Sequence, residues 1–151
     1  MSTPDDIRTT FLFHPPVDDA SAWHMTVEGF VHAVTVSFPD AFTKYRTSHL
    51  RDNAVVDFEI EITPGVWIEG VANTPVEDSA VITITGATAT EAAQFALWLR
   101  TSLIPATHLI RFSSEWALES GDATEYPVPA AGELSEVSGV LAEHVARFHH
   151  G

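Results

Sequence analysis

The sequence predicts an α+β domain: a two-layer arrangement of an antiparallel sheet of about five strands covered by helices, in the order α-β-β-β-α-β-β-α. Three observations lead there. Three strand-like segments follow one another between residues 55 and 85 with turn residues between them, as in an antiparallel meander. On both sides of that block apolar residues recur at helical spacing instead. And 151 residues, 45% of them apolar, suffice for one domain that buries roughly two-thirds of its unfolded surface.

In chain order, residues 7–13 read as a short strand halted by His14-Pro15-Pro16. A first helix follows, with Asp18 or Asp19 as N-cap; Trp23, Val27, Phe30, Val31, Val34 and Phe38 form its apolar stripe, and Pro39 ends it. Residues 40–46 are read as an added helical turn that returns Phe42 and Tyr45 to the core. Strands are expected at 55–62, 66–71 and 80–85, with turns at Pro64-Gly65 and Asn73-Thr74-Pro75. Thr88 and Glu91 have capping-box spacing and open a second helix, where Ala92, Phe95, Ala96, Leu99 and Leu103 face inward and which Pro105 stops. Residues 108–112 give a fourth strand and the stretch between Trp116 and Tyr126 a fifth. The last helix, 133–149, carries Leu134, Val137, Leu141, Val145 and Phe148 on one side. The chain is thus one domain over 1–151, with an N-terminal strand or arm at 1–17 and a short spacer at 127–132.

Charge narrows the function classes. There are 21 acids against 7 bases, a net charge of −14, and Lys44 is the sole lysine. Every charged residue from 52 to 99 is acidic. Such a field repels phosphate backbones and anionic lipid, so neither nucleic acid nor membrane is an expected partner. General acidity for solubility is the plain alternative. The absence of Cys removes disulfides, thiolate metal sites and a thiol nucleophile. A polar, acidic start and no run near ~20 apolar residues predict a cytoplasmic protein.

The stretch DFEIEITPGVWIEG, residues 57–70, holds the most informative pattern. On a strand, Asp57, Glu59 and Glu61 share one face at ~6.5–7 Å intervals, and Val56, Phe58, Ile60 and Ile62 take the other. Unpaired carboxylates cannot be buried, so the acidic face must meet solvent or a partner. The hairpin register is contested. A two-residue Pro-Gly loop pairs Ile62 with Trp67 and turns Glu69 inward. An odd-length loop pairs Ile62 with Ile68 and puts Trp67 and Glu69 on the acidic face, as the hydrophobic pattern prefers. In that register an indole sits among four carboxylates, with Val81, Thr83 and Thr85 extending the patch. An ordinary solvated strand face would look the same.

Other constellations are weaker. Carboxylates on an open strand face have the separation of an inverting glycosidase pair but no concave, partly dry site to raise one pKa. His24, Glu28 and His32 recur at i, i+4, i+8 on the first helix. An i, i+4 pair can grip a transition metal, yet the three span ~12 Å and cannot all reach one ion without help from His14 or His49. Otherwise they are the polar border of an amphipathic helix. There is no phosphate-cradling glycine pattern and no G-x-S-x-G elbow, so no cofactor and no catalytic residue is expected.

The element order over residues 18–149, with the size and acidity, resembles the type III secretion chaperones and the related YbjN-like bacterial proteins. That resemblance implies a non-catalytic, often dimeric, protein-binding domain. The expectation is an acidic binding domain of chaperone, adaptor or immunity-inhibitor type that takes a protein partner with a basic surface through Asp57, Glu59, Glu61, Trp67 and Glu69. Homodimerisation through a helix or a sheet edge is expected as well. A metal-binding protein or metal-dependent enzyme built on helix one, and a small-ligand carrier with its pocket between sheet and helices, are the alternatives.

Overall fold

A computed structural model describes residues 7–48, 51–76, 79–104 and 109–149. Strands β1 (Thr9–His14), β2 (Phe42–Ser48), β3 (Arg51–Thr63), β4 (Val66–Val76), β5 (Ser79–Ala87), β6 (Arg111–Ser114) and β7 (Tyr126–Pro127) form one antiparallel sheet. Their spatial order is β2-β3-β4-β5-β1-β6-β7. Helices α1 (Val27–Ser37) and α2 (Ala89–Trp98) pack on one face of it, and α4 (Leu134–Phe148) lies beside α2. A short helix, α3 (Glu115–Glu119), follows β6. No helix among the described residues is long and apolar enough to cross a membrane.

The α+β class with helices on one antiparallel sheet is as expected, and among the described residues the sheet has seven strands where about five were expected. One is β1, the strand expected at 7–13, which enters the middle of the sheet between β5 and β6. Another is β2, which replaces the helical turn expected at 40–46. Aromatic and β-branched residues (Phe42, Thr43, Tyr45) favour a pleated edge, and β3 reaches back far enough to pair with them. Phe42 and Tyr45 therefore stay exposed, at 55% and 48%, instead of joining the core.

Three further boundaries differ. Helix α1 starts at Val27 because Thr26 caps it, its hydroxyl accepting the Gly29 N–H at 3.0 Å. Asp18 and Asp19 sit instead in a 3₁₀ turn at Val17–Asp19. Trp23 lies ahead of the helix, buried, with its indole N–H donating to the Leu109 carbonyl. The strand expected between Trp116 and Tyr126 is α3, started by Ser114 as N-cap, and only the two residues of β7 return to the sheet. Asn73-Thr74-Pro75 belongs to β4 rather than to a turn, and residues 77–78, like Pro105 and His108, lie outside the described residues.

Other elements fall where the pattern puts them. The Thr88–Glu91 capping box is formed in both directions, and α2 continues into a wider π turn at Leu99–Leu103. Val137, Leu141, Val145 and Phe148 of α4 are buried. Between sheet and helices the space is filled with rings. Phe58 stacks on Phe95 at 5.9 Å and meets Phe30 edge-on at 5.1 Å, and Phe95 reaches Phe13 and Trp98.

Candidate functional site

The face of the sheet away from the helices carries the predicted residues. Ile60 pairs with Ile68, Glu59 with Glu69, Glu61 with Trp67 and Asp57 with Val71. The register then steps from Glu61↔Trp67 to Thr63↔Val66, leaving Ile62 as a β-bulge. That bulge reconciles the two hairpin arguments. Pro64-Gly65 is a two-residue loop, with Gly65 at φ 77°, where a side chain would be strained. The bulged residue flips the parity, so Trp67 and Glu69 point out with the acids while Ile68 points to the core. The expected faces hold; the expected pairing of Ile62 with Ile68 does not, because Ile68 sits two residues further along, opposite Ile60.

The five residues are brought onto one face but are not equivalent. Trp67 is 50% exposed. Glu59 and Glu69, both exposed, lie directly opposite each other, and no ion pair to either is formed among the described residues. Like charges in that position oppose each other. Asp57 is engaged by Arg46, whose Nε lies 2.7 Å from Oδ2 and whose Nη2 donates to Oδ1 at 3.0 Å. Glu61 accepts the Gly65 N–H at 3.3 Å. A recess of about 300 Å³ lies between Trp67, Glu59, Glu69, Thr85, Gly86 and Glu91. At its rim the Arg8 guanidinium donates to both carboxylate oxygens of Glu91, at 2.8 and 3.3 Å, and to the Gly86 carbonyl.

The helix-one constellation is not assembled. His24 precedes α1 with a positive φ of 49°, so only Glu28 and His32 are on the helix. Among the described residues no three His, Asp or Glu side chains converge on a point that could hold a metal. His49 lies outside the described residues, and His14 uses Nδ1 toward the Pro15 carbonyl.

A second cluster escaped the sequence reading. His144 of α4 is buried against Phe112, Tyr126 and Phe148, with Nε2 2.8 Å from the Ser114 hydroxyl. Burial pushes its pKa down to about 4, with Arg147 adding to the effect and the Asp122 carboxylate opposing it. Tyr126 donates a short hydrogen bond to Asp122. Bonds from Thr124 and Tyr126 hold the Asp122 carboxyl down at about 2, and the same Asp122 bond raises the phenol. The sequence signal was there: His144 falls seven residues after Val137, on the apolar stripe of its helix. Ser114 is itself buried and serves as the α3 cap, so the Ser–His pair presents no nucleophile.

Comparison of the chain with models of known protein families, with curated proteins and with solved structures found no match.

Proposed function

We propose that the chain is a non-enzymatic binding domain of adaptor, chaperone or immunity-inhibitor type, which takes a basic segment of a protein partner on its open sheet face. One observation carries this reading: Glu59 and Glu69 oppose each other beside the half-exposed ring of Trp67. Like charges directly across a strand pair cost about 0.2–1 kcal/mol, so the arrangement is held against the fold's own interest. An arriving guanidinium or ammonium relieves that repulsion and lies against an indole suited to cation–π contact. The Arg8–Glu91 contact at the edge of the same recess supports the chemistry. Asp57, already engaged by Arg46, contributes to the field more than to direct contact, and Glu61 borders the indole.

The test pairs stability with binding. Glu59→Gln should raise unfolding free energy by about 0.5 kcal/mol while weakening capture of an arginine-rich peptide. Binding is followed by Trp67 fluorescence, with Trp67→Phe as the blank, and its association rate should fall as salt rises. A variant no more stable than the parent, or one that binds the peptide equally well at low and high salt, would sink the proposal.

A further inference from the structure

We propose that the β2 edge of the sheet pairs with the β2 edge of a second copy of the chain, antiparallel and around a two-fold axis at Thr43. The two edges of the sheet are unlike. β7 is two residues long and ends on Pro127, which has no N–H to offer, so that edge is closed to further strands. β2 runs for seven residues, and among the described residues only β3 pairs with it, along one side. Phe42 stands opposite Glu59 on the open face, and Tyr45 stands opposite buried Val56 on the face that carries the helices. Both rings are half-exposed. A bare edge of this length, with a ring on either face, is a template for one more strand.

Charge selects the strand and its register. A net charge of −14 sets two copies against each other, so self-pairing needs a strand that is locally free of acids. β2 carries Lys44 and Arg46 and no acid. Which residues meet across the seam depends on the residue at the axis. With Lys44 there, Lys44 meets its own copy; with Tyr45, Lys44 meets Arg46; with Arg46, two guanidinium groups meet. Each is a like-charge pair directly opposed. With Phe42 at the axis, Tyr45 meets Pro39, which again lacks an N–H.

Thr43 at the axis removes these conflicts. Lys44 then lies opposite Phe42 of the second copy, in reach of the ring face, and Arg46 lies opposite Asp40, each contact made twice by symmetry. Arg46 spends Nε and Nη2 on Asp57, which leaves Nη1 for the incoming carboxylate. Neither Lys44 nor Asp40 has an ion pair of its own among the described residues. Tyr45 falls opposite Ala41. A lysine on an edge strand ordinarily deters pairing, but in this register it meets a ring instead of a charge. The axis stands perpendicular to the sheet, so the two sheets join as one with both acidic faces on the same side. The pairing does not rest on the partner reading above.

The chain has no Cys, so single cysteines report the seam directly. Thr43→Cys should form a disulfide with its own copy under mild oxidation, because opposed residues of an antiparallel pair stand about 4.5–5.5 Å apart, within disulfide reach. Tyr45→Cys should stay unlinked, and Phe42→Cys and Lys44→Cys should link to each other when mixed but not alone. Sedimentation equilibrium of the parent should show a reversible dimer. Phe42→Ser, which removes both ring contacts, should weaken it about tenfold while circular dichroism shows the fold intact. A parent that stays monomeric at every concentration, a Lys44→Cys or Tyr45→Cys chain that links to itself faster than Thr43→Cys, or a Phe42→Ser chain that dimerises as tightly as the parent would overturn the proposal.

Discussion

Replacing His144 by Phe should remove one identifiable component of the protein's acid sensitivity. In the folded chain the imidazole is packed among Phe112, Tyr126 and Phe148, and burial moves its pKa from an ordinary 6.5 to about 4. The unfolded chain therefore takes up this proton first as pH falls. Stability owed to the neutral ring is fully present above about pH 6.5, drains between there and about pH 4, and changes no further below. The gap between the two values amounts to about 3 kcal/mol, which is large beside the 5–15 kcal/mol of a typical domain. Urea unfolding of the parent and His144→Phe at several pH values from about 8 to about 4 measures it. The parent should lose about 3 kcal/mol relative to the variant across that window, with equal urea slopes in both proteins. Taking the difference cancels the carboxylates common to the two. A difference that stays flat within about 0.5 kcal/mol, or a His144 titration midpoint near 6.5, would refute the buried neutral ring.

The remaining predictions concern the fold. Gly70→Ala places a methyl group against the Thr83 carbonyl oxygen and the Phe58 ring, so β4 and β5 must part or Phe58 must leave its stack on Phe95. The expected loss is about 3 kcal/mol by chemical denaturation. Thr88→Ala removes the hydroxyl half of the α2 capping box and should cost about 1 kcal/mol, with Thr88→Ser recovering most of it. Arg46→Ala breaks an ion pair whose partners are 56% and 37% exposed, so its effect on melting should be under about 1 kcal/mol and vanish in high salt.

Much of this was legible from spacing. The capping box, the α4 stripe and the inward set Val56, Phe58, Ile60 and Ile68 follow from helical and strand periods, because burial imposes the period. The acidic face was legible for the same reason in reverse. Errors gathered where two signals of equal strength compete locally. At residues 40–46 a few aromatic and polar residues suit a helical turn or an edge strand equally, and the choice was made by β3, which offers a partner. After Trp116 the Ser114 cap starts a helix where the short stretch before Gly121-Asp122 was read as a strand. The bulge at Ile62 could not be read because it satisfies turn chemistry and hydrophobic parity together, through a third geometry. The His144 cluster unites residues from 112 to 148, and no local pattern announces a neighbourhood assembled from three separate elements.

The central place of β1 has a consequence for how the molecule comes into being. Its partners, β5 and β6, are encoded some seventy to one hundred positions downstream, as in Phe11 with Ile84 and with Ser114. The β2-to-β5 meander can assemble from neighbours, but the seam that joins it to the β6–β7 portion must wait for the earliest-made strand to find two late ones. Long-range closure of this kind slows folding, and until it happens both flanks are unpaired strand edges. During synthesis β1 can dock on β5 once residue 87 has left the ribosome, but its other edge stays bare until residue 114 follows.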